Sequence, residues 1–255
     1  MRSRSRAGVA AELRQLSTDR RLRWILALAV GCSAIGGLVH AAIAAQLPGI
    51  DAIELQTAVV SRGAATQLAV VLLMSVAVAG RYRDGSWLQL ALAEPRPSRR
   101  LLTAAAPALS ASVLLALVSA ASATAAAALV SRIDPPSLAL ATCLHVAVTT
   151  IWALWTLCLA HASRSPMLTL AIGAGLPIVV EPAAAGLLTQ ADLAGLRWAM
   201  PGHALRVLAE LPATGGALLQ PVPPEALPAA LGTVIVCTAV LAAIAWLRLR
   251  GSQPR

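Results

Sequence analysis

The chain has no lysine, no asparagine and no phenylalanine, and a single tyrosine, Tyr82, among 255 residues. Each absence removes chemistry. A phosphate-cradling Walker A loop needs a lysine to reach the nucleotide, and Schiff-base catalysis needs a lysine amine. No nucleophile elbow, zinc-protease motif or pair of catalytic carboxylates occurs either. The chain therefore reads as a non-enzyme that binds no cofactor itself. Charge is also scarce, at 12% of residues against 58% hydrophobic, with a mean hydropathy of +0.76. A soluble domain of this size carries far more charge on its surface. The four cysteines (Cys32, Cys143, Cys158, Cys237) fall inside apolar runs without metal-ligand spacing and read as small buried hydrophobes. His40, His161 and His203 lack a coordinating neighbour in sequence and read as interfacial side chains.

What the chain does have is arginine and long apolar runs. A bilayer core of roughly 30 Å needs about 20 apolar residues in a helix. Runs at 24–47, 63–80, 107–130, 137–160 and 228–247 meet or approach that length. The first is preceded by 23 residues and does not read as a cleaved signal. One further run, the fifth in chain order, starts at residue 167, is interrupted by Pro177, Glu181 and Pro182 and reads as a span broken near those prolines. The sequence thus predicts an all-α integral membrane protein with six transmembrane helices. Residues 1–23 form a basic cytoplasmic arm with an amphipathic elbow, 24–247 the six-helix domain and 248–255 a basic tail.

Arginine sets the predicted orientation. Sixteen of the twenty fall in the amino-terminal arm, the 2–3 connection, the 4–5 turn and the tail, whereas only Arg62, Arg132, Arg197 and Arg206 fall on the other side. The positive-inside rule then places both ends in the cytoplasm, in a multi-pass plasma (inner) membrane protein. The net charge of +9 reads as contact with anionic lipid, not nucleic acid.

Two connections are long. The inner one, 81–100, carries an apolar centre around Trp87, Leu88 and Leu92 between basic clusters. It reads either as a stretch lying on anionic headgroups or as a short helix that docks a cytoplasmic partner. The outer one, about 181–227, holds two amphipathic pieces at 193–200 and 204–211. It reads as an interfacial hairpin capping the bundle, as an external gate, or as both.

The inner segment, RYRDGSW followed by LAEPRPSRRLLTAA, resembles the signature of the ABC-2 type permeases. An aromatic-Arg-x-Gly motif (Tyr82, Arg83, Gly85) follows the second span, and Pro95, Arg99 and Arg100 lead into the third. The basic arm and the long 5–6 hairpin are similar to that family too. The resemblance implies a half-transporter that pairs with a second permease copy or paralogue. It also implies a separate cytoplasmic ABC ATPase subunit, on which ATP and Mg are bound. The docking surface for that ATPase would be the elbow and an inner coupling helix, here Tyr82, Arg83, Asp84, Gly85, Trp87, Leu88, Arg96, Arg99 and Arg100. The alternative is a non-transporting scaffold or immunity subunit of the same fold.

No charged residue lies clearly in the middle of a span, which argues against a proton- or sodium-driven carrier and fits a lipophilic or amphiphilic substrate. The most polar helix face is on the fourth span, where His145, Thr149, Trp152 and Thr156 recur at spacings of 4, 3 and 4. The stripe either packs within the bundle or borders a substrate path. The third span, rich in Ala and Ser from 110 to 128, offers a small-residue face for close packing.

Overall fold

The computed structural model describes residues 18–47, 49–62, 65–93, 97–213, 218–219 and 222–250. Most of the expected elbow, Pro95 and Arg96 lie outside those residues. The fold is about 85% helical, with no strand among the described residues. Six helical runs are long and apolar enough to cross a membrane: Arg20–Ala44, Ala52–Arg83, Thr103–Ala127, Pro135–Ser163, Pro166–Gln190 and Ala226–Arg250. The chain is therefore a multi-pass membrane protein by length and composition of its helices.

Helix α1 (Arg20–Ala44) starts at Asp19, whose carboxylate accepts a hydrogen bond from the Arg21 amide at 2.8 Å. Its buried residues Ala29, Ser33, Gly37 and Ala41 repeat every four positions and are all small. They form a stripe that lets another backbone approach closely. The partner is α6 (Pro97–Ala127), the most extensive helix pairing in the molecule. Ala116, Ala120, Ala123 and Ala127 are buried on α6. At the crossing, Gly37 lies so close to the Ala123 carbonyl that a Cβ there would overlap it. Between helices in lipid, where burial against water supplies no drive, such dispersion contact carries the association.

The second span corrects the sequence reading. It does not begin at residue 63; α2 (Ala52–Ser61) precedes it, followed by α3 (Thr66–Met74), a π-helical turn (Ser75–Ala79) and α4 (Gly80–Arg83). Glu54, Gln56 and Thr57 lower the hydropathy of α2 and hid it, yet all three are buried. Glu54 accepts the Leu218 and Leu219 amides at 2.8 and 2.9 Å, and the Gln56 amide reaches the Arg132 carbonyl at 3.5 Å. At the interruption between α2 and α3, the Ala65 amide donates to Ser33 Oγ at 2.9 Å, and Thr66 Oγ1 meets His145 Nε2 at 3.0 Å. Neighbouring helices thus supply partners to Ala65 and Thr66 at the start of α3, as burial away from water requires.

The fifth span departs from expectation in the opposite sense. It is bulged, not broken: α8 (Pro166–Gly175) runs through a π-helical turn (Leu176–Val180) into α9 (Glu181–Gln190). The backbone stays right-handed helical at Gly175, Val180 and Glu181. Pro177 has no N–H to donate and crowds the preceding turn, and the wider π turn accommodates both defects. After α9 come a 3₁₀ turn (Ala194–Ala199) and α10 (Pro201–Glu210), then α11 (Ala226–Arg250).

Helix α7 (Pro135–Ser163) is the hub, packing on α2, α3, α6, α8, α10 and α11. It is capped by Asp134, which accepts from the Ser137 amide and hydroxyl. The fifth and sixth spans, by contrast, leave broad apolar faces exposed, Val179 and Ile235 among them. That pattern suits contact with lipid chains. It also corrects the reading of the cysteines: Cys158 is buried and Cys237 half-buried, but Cys32 and Cys143 are on exposed faces, and all four are free thiols. In a membrane an exposed face is as apolar as a core, so hydropathy could not separate the two.

Candidate functional site

At the arginine-rich end of the bundle, α4 stops at Asp84 and turns through Gly85, whose φ of +72° is a conformation that glycine adopts without strain. The turn folds α5 (Ser86–Ala93) back so that Trp87 stacks on Tyr82, ring centroids 4.8 Å apart. The Tyr82 hydroxyl is hydrogen-bonded to His161 Nδ1 at 2.8 Å, and the Trp87 ring lies 5.1 Å from that imidazole. Trp87 also packs with Ala104 and Leu249, the latter near the end of α11. Arg164, just past α7 in a left-handed cap, places its guanidinium 5.7 Å from the Tyr82 ring centre and donates to the Arg248 carbonyl at 2.7 Å. One cluster therefore ties α5 to the ends of the second, third, fourth and sixth spans.

The docking residues predicted from sequence divide into two sets. Tyr82 and Trp87 turn inward and hold the helix in place, with Trp87 buried. Arg83 and Asp84 pair at 3.1 Å on the surface, while Leu88 and Leu92 are 59% and 73% exposed and Arg99 is exposed. Those residues are available to a partner. Arg96 and the side chain of Arg100 lie outside the described residues. Sequence reasoning missed His161, expected at an interface but fully buried beneath Tyr82 and Trp87. Its spacing of two residues from Ser163 at the helix end gave no sign that a polar ring would enter the fold there.

The four residues of the fourth-span stripe, His145, Thr149, Trp152 and Thr156, are all buried. His145 bonds Thr66, and Thr156 Oγ1 donates back to the Trp152 carbonyl at 2.8 Å. Thr149 Oγ1 and Trp152 Nε1 are buried with no partner among the described residues. Trp152 forms a wall between two crevices. One, about 190 Å³, lies against Leu68, Val71 and Pro177; the other, about 380 Å³, lies against Trp155, Ile172, Val236 and Leu241. The larger is almost wholly apolar in its named lining.

The opposite, arginine-poor end is closed by carboxylates. Glu54, Glu181 and Glu210 are each only 4% exposed. Glu54 holds the 218–219 backbone as described; Glu181 accepts the Gly202 and His203 amides at 2.8 and 3.0 Å, capping α10. Glu210 takes a two-pronged bond from Arg62, 2.7 Å from Nε and 3.0 Å from Nη2. Three buried acids thus fasten the connection between the fifth and sixth spans onto the bundle. This corrects the expectation that no charged residue lies in a span: Glu54 and Arg62 fall within the second span (Ala52–Arg83) and Glu181 within the fifth (Pro166–Gln190), each held by a partner.

No protein-family model matches the chain, and no curated protein matches it.

Proposed function

We propose that this chain is the membrane subunit of an ATP-driven exporter of the ABC-2 type, working with a separate cytoplasmic ATPase. The observation that carries the proposal is α5. It is a short helix at the arginine-rich end, pinned by Tyr82, Trp87 and His161 and leaving Leu88 and Leu92 exposed, with Arg83 exposed beside it at the end of α4. That is what a coupling element requires: a rigid attachment to several spans and an unoccupied face for a partner. The resemblance of residues 81–105 to ABC-2 permeases supplies the identity of the partner. The positive-inside rule supports the same end as cytoplasmic.

In this reading, closure of the ATPase pulls on α5, and the cluster transmits the pull to the fourth and sixth spans. Two such bundles, identical or paralogous, then alternate between inward and outward access. The substrate class is lipophilic or amphiphilic, because the larger crevice beside Trp152 is almost wholly apolar and the smaller adds the polar side chain of Gln67. The stripe His145, Thr149, Trp152 and Thr156 would border that path. The expected outcome of Arg83→Glu with Leu88→Asp is loss of co-purification with the ATPase while membrane insertion persists. Undiminished recovery of the ATPase would contradict the docking assignment.

A further inference from the structure

Only four arginines, Arg62, Arg132, Arg197 and Arg206, were assigned by sequence to the arginine-poor side. Three of the four converge. Arg62, Arg197 and Arg206 line one crevice of about 50 Å³, together with Trp198, His203 and Glu210.

Their electrostatics do not cancel. Arg62 and Glu210 neutralise each other through their two-pronged bond, and the remaining Arg62 nitrogen donates to the Leu218 carbonyl at 3.3 Å. Glu181, beside His203, has both oxygens engaged by the Gly202 and His203 amides. Arg197 and Arg206 are left without a carboxylate among the described residues. The Arg197 guanidinium lies 4.2 Å from the Trp198 ring centre, and its Nε–H is buried with no acceptor among the described residues. A buried guanidinium N–H without an acceptor costs stability unless a ligand supplies one.

We propose that this crevice binds a phosphate-type anion, either the headgroup phosphate of a lipid or a soluble phosphate ester. Two guanidinium forks without carboxylate partners match the oxygens of such a group, which accept paired N–H bonds. Trp198 suits the same place, since an amphipathic ring rests where headgroups meet hydrocarbon. The site lies at the end of the bundle opposite α5, so it stands or falls independently of ATPase docking.

The test uses the full chain purified in neutral detergent and three probes: dioleoylphosphatidylglycerol, dioleoylglycerol with the same chains, and inorganic phosphate. Binding is read by native mass spectrometry and by titration, for the unaltered chain, for Arg197→Gln with Arg206→Gln, and for Arg250→Gln at the other end. Neither the Arg197 nor the Arg206 side chain makes a hydrogen bond among the described residues, so the unliganded melting temperature of the double variant is expected to fall by no more than the loss of the one guanidinium contact with the Trp198 ring brings. The expected result is that the phosphate-bearing probe binds and that the double variant weakens it at least about tenfold, ~1.4 kcal/mol, while Arg250→Gln does not. Binding of phosphatidylglycerol that inorganic phosphate fails to displace identifies a lipid headgroup; displacement identifies a soluble ester. The proposal is overturned if phosphatidylglycerol binds no better than dioleoylglycerol and inorganic phosphate does not bind. It is equally overturned if the double variant weakens binding no more than Arg250→Gln.

Discussion

His161 shows how one residue can be opaque in sequence and central in structure. A histidine two positions before a helix end looks interfacial, but here Tyr82 supplies a hydroxyl 2.8 Å from Nδ1 and the Trp87 ring covers it. The chain's only tyrosine is spent on that contact. Tyr82→Phe keeps the ring stack but leaves a buried ring nitrogen unpaired, so a loss of about 1–3 kcal/mol is expected. It would be read as a lowered melting temperature of the purified chain, and an unchanged one would refute the role given to the hydroxyl. Gly37 is the other position where one side chain decides the packing. Gly37→Val drives a branched side chain into the Ala123 carbonyl, and overpacking of that kind costs about 1–3 kcal/mol. Separation of α1 from α6 would appear as reduced cross-linking between cysteines placed on the two helices. The small-residue face of the third span was legible in sequence. Its partner was not, because nothing in a stripe of alanines says which helix it will meet.

Among the elements, the two least regular spans were the hardest to read. Hydropathy placed the start of the second span too late, because α2 mixes Glu54, Gln56 and Thr57 with its apolar residues and their partners lie far off in the chain. Proline content overstated the break in the fifth span, because a π turn absorbs Pro177 without ending the helix. Both errors come from the same physics: local sequence reports the cost of a polar group or a proline, and distant residues or a changed helical register supply the remedy. The three buried carboxylates give a direct check. Glu181→Ala removes the acceptor for the Gly202 and His203 amides. Those two amides should then exchange with solvent deuterium at least about fivefold faster, with α7 unaffected, as expected for the loss of a charge-assisted cap worth about 1 kcal/mol or more. Equal exchange in the two proteins would show that α10 is held by packing alone.

At the scale of the whole molecule, six apolar helices were legible from composition, and the arrangement around α7 was foreshadowed only by its polar stripe. Membrane orientation rests on the arginine tally, and single cysteines can test it. In a background with Cys32, Cys143, Cys158 and Cys237 replaced by alanine, Gln190→Cys should react with an impermeant maleimide added outside intact cells. Arg99→Cys should react only after permeabilisation, and the reverse pattern would invert the topology. The central claim is that α5 hands mechanical work from an ATPase to the bundle. The most direct measurement places a photo-crosslinking amino acid at Leu88, 59% exposed on α5, and at Ile172, 45% exposed on the fifth span, in cells of the native host. The account predicts a cross-link from position 88 to an ATP-binding subunit and none from position 172. Position 88 cross-linking to no ATP-binding protein, while the chain is folded and in the membrane, would contradict it.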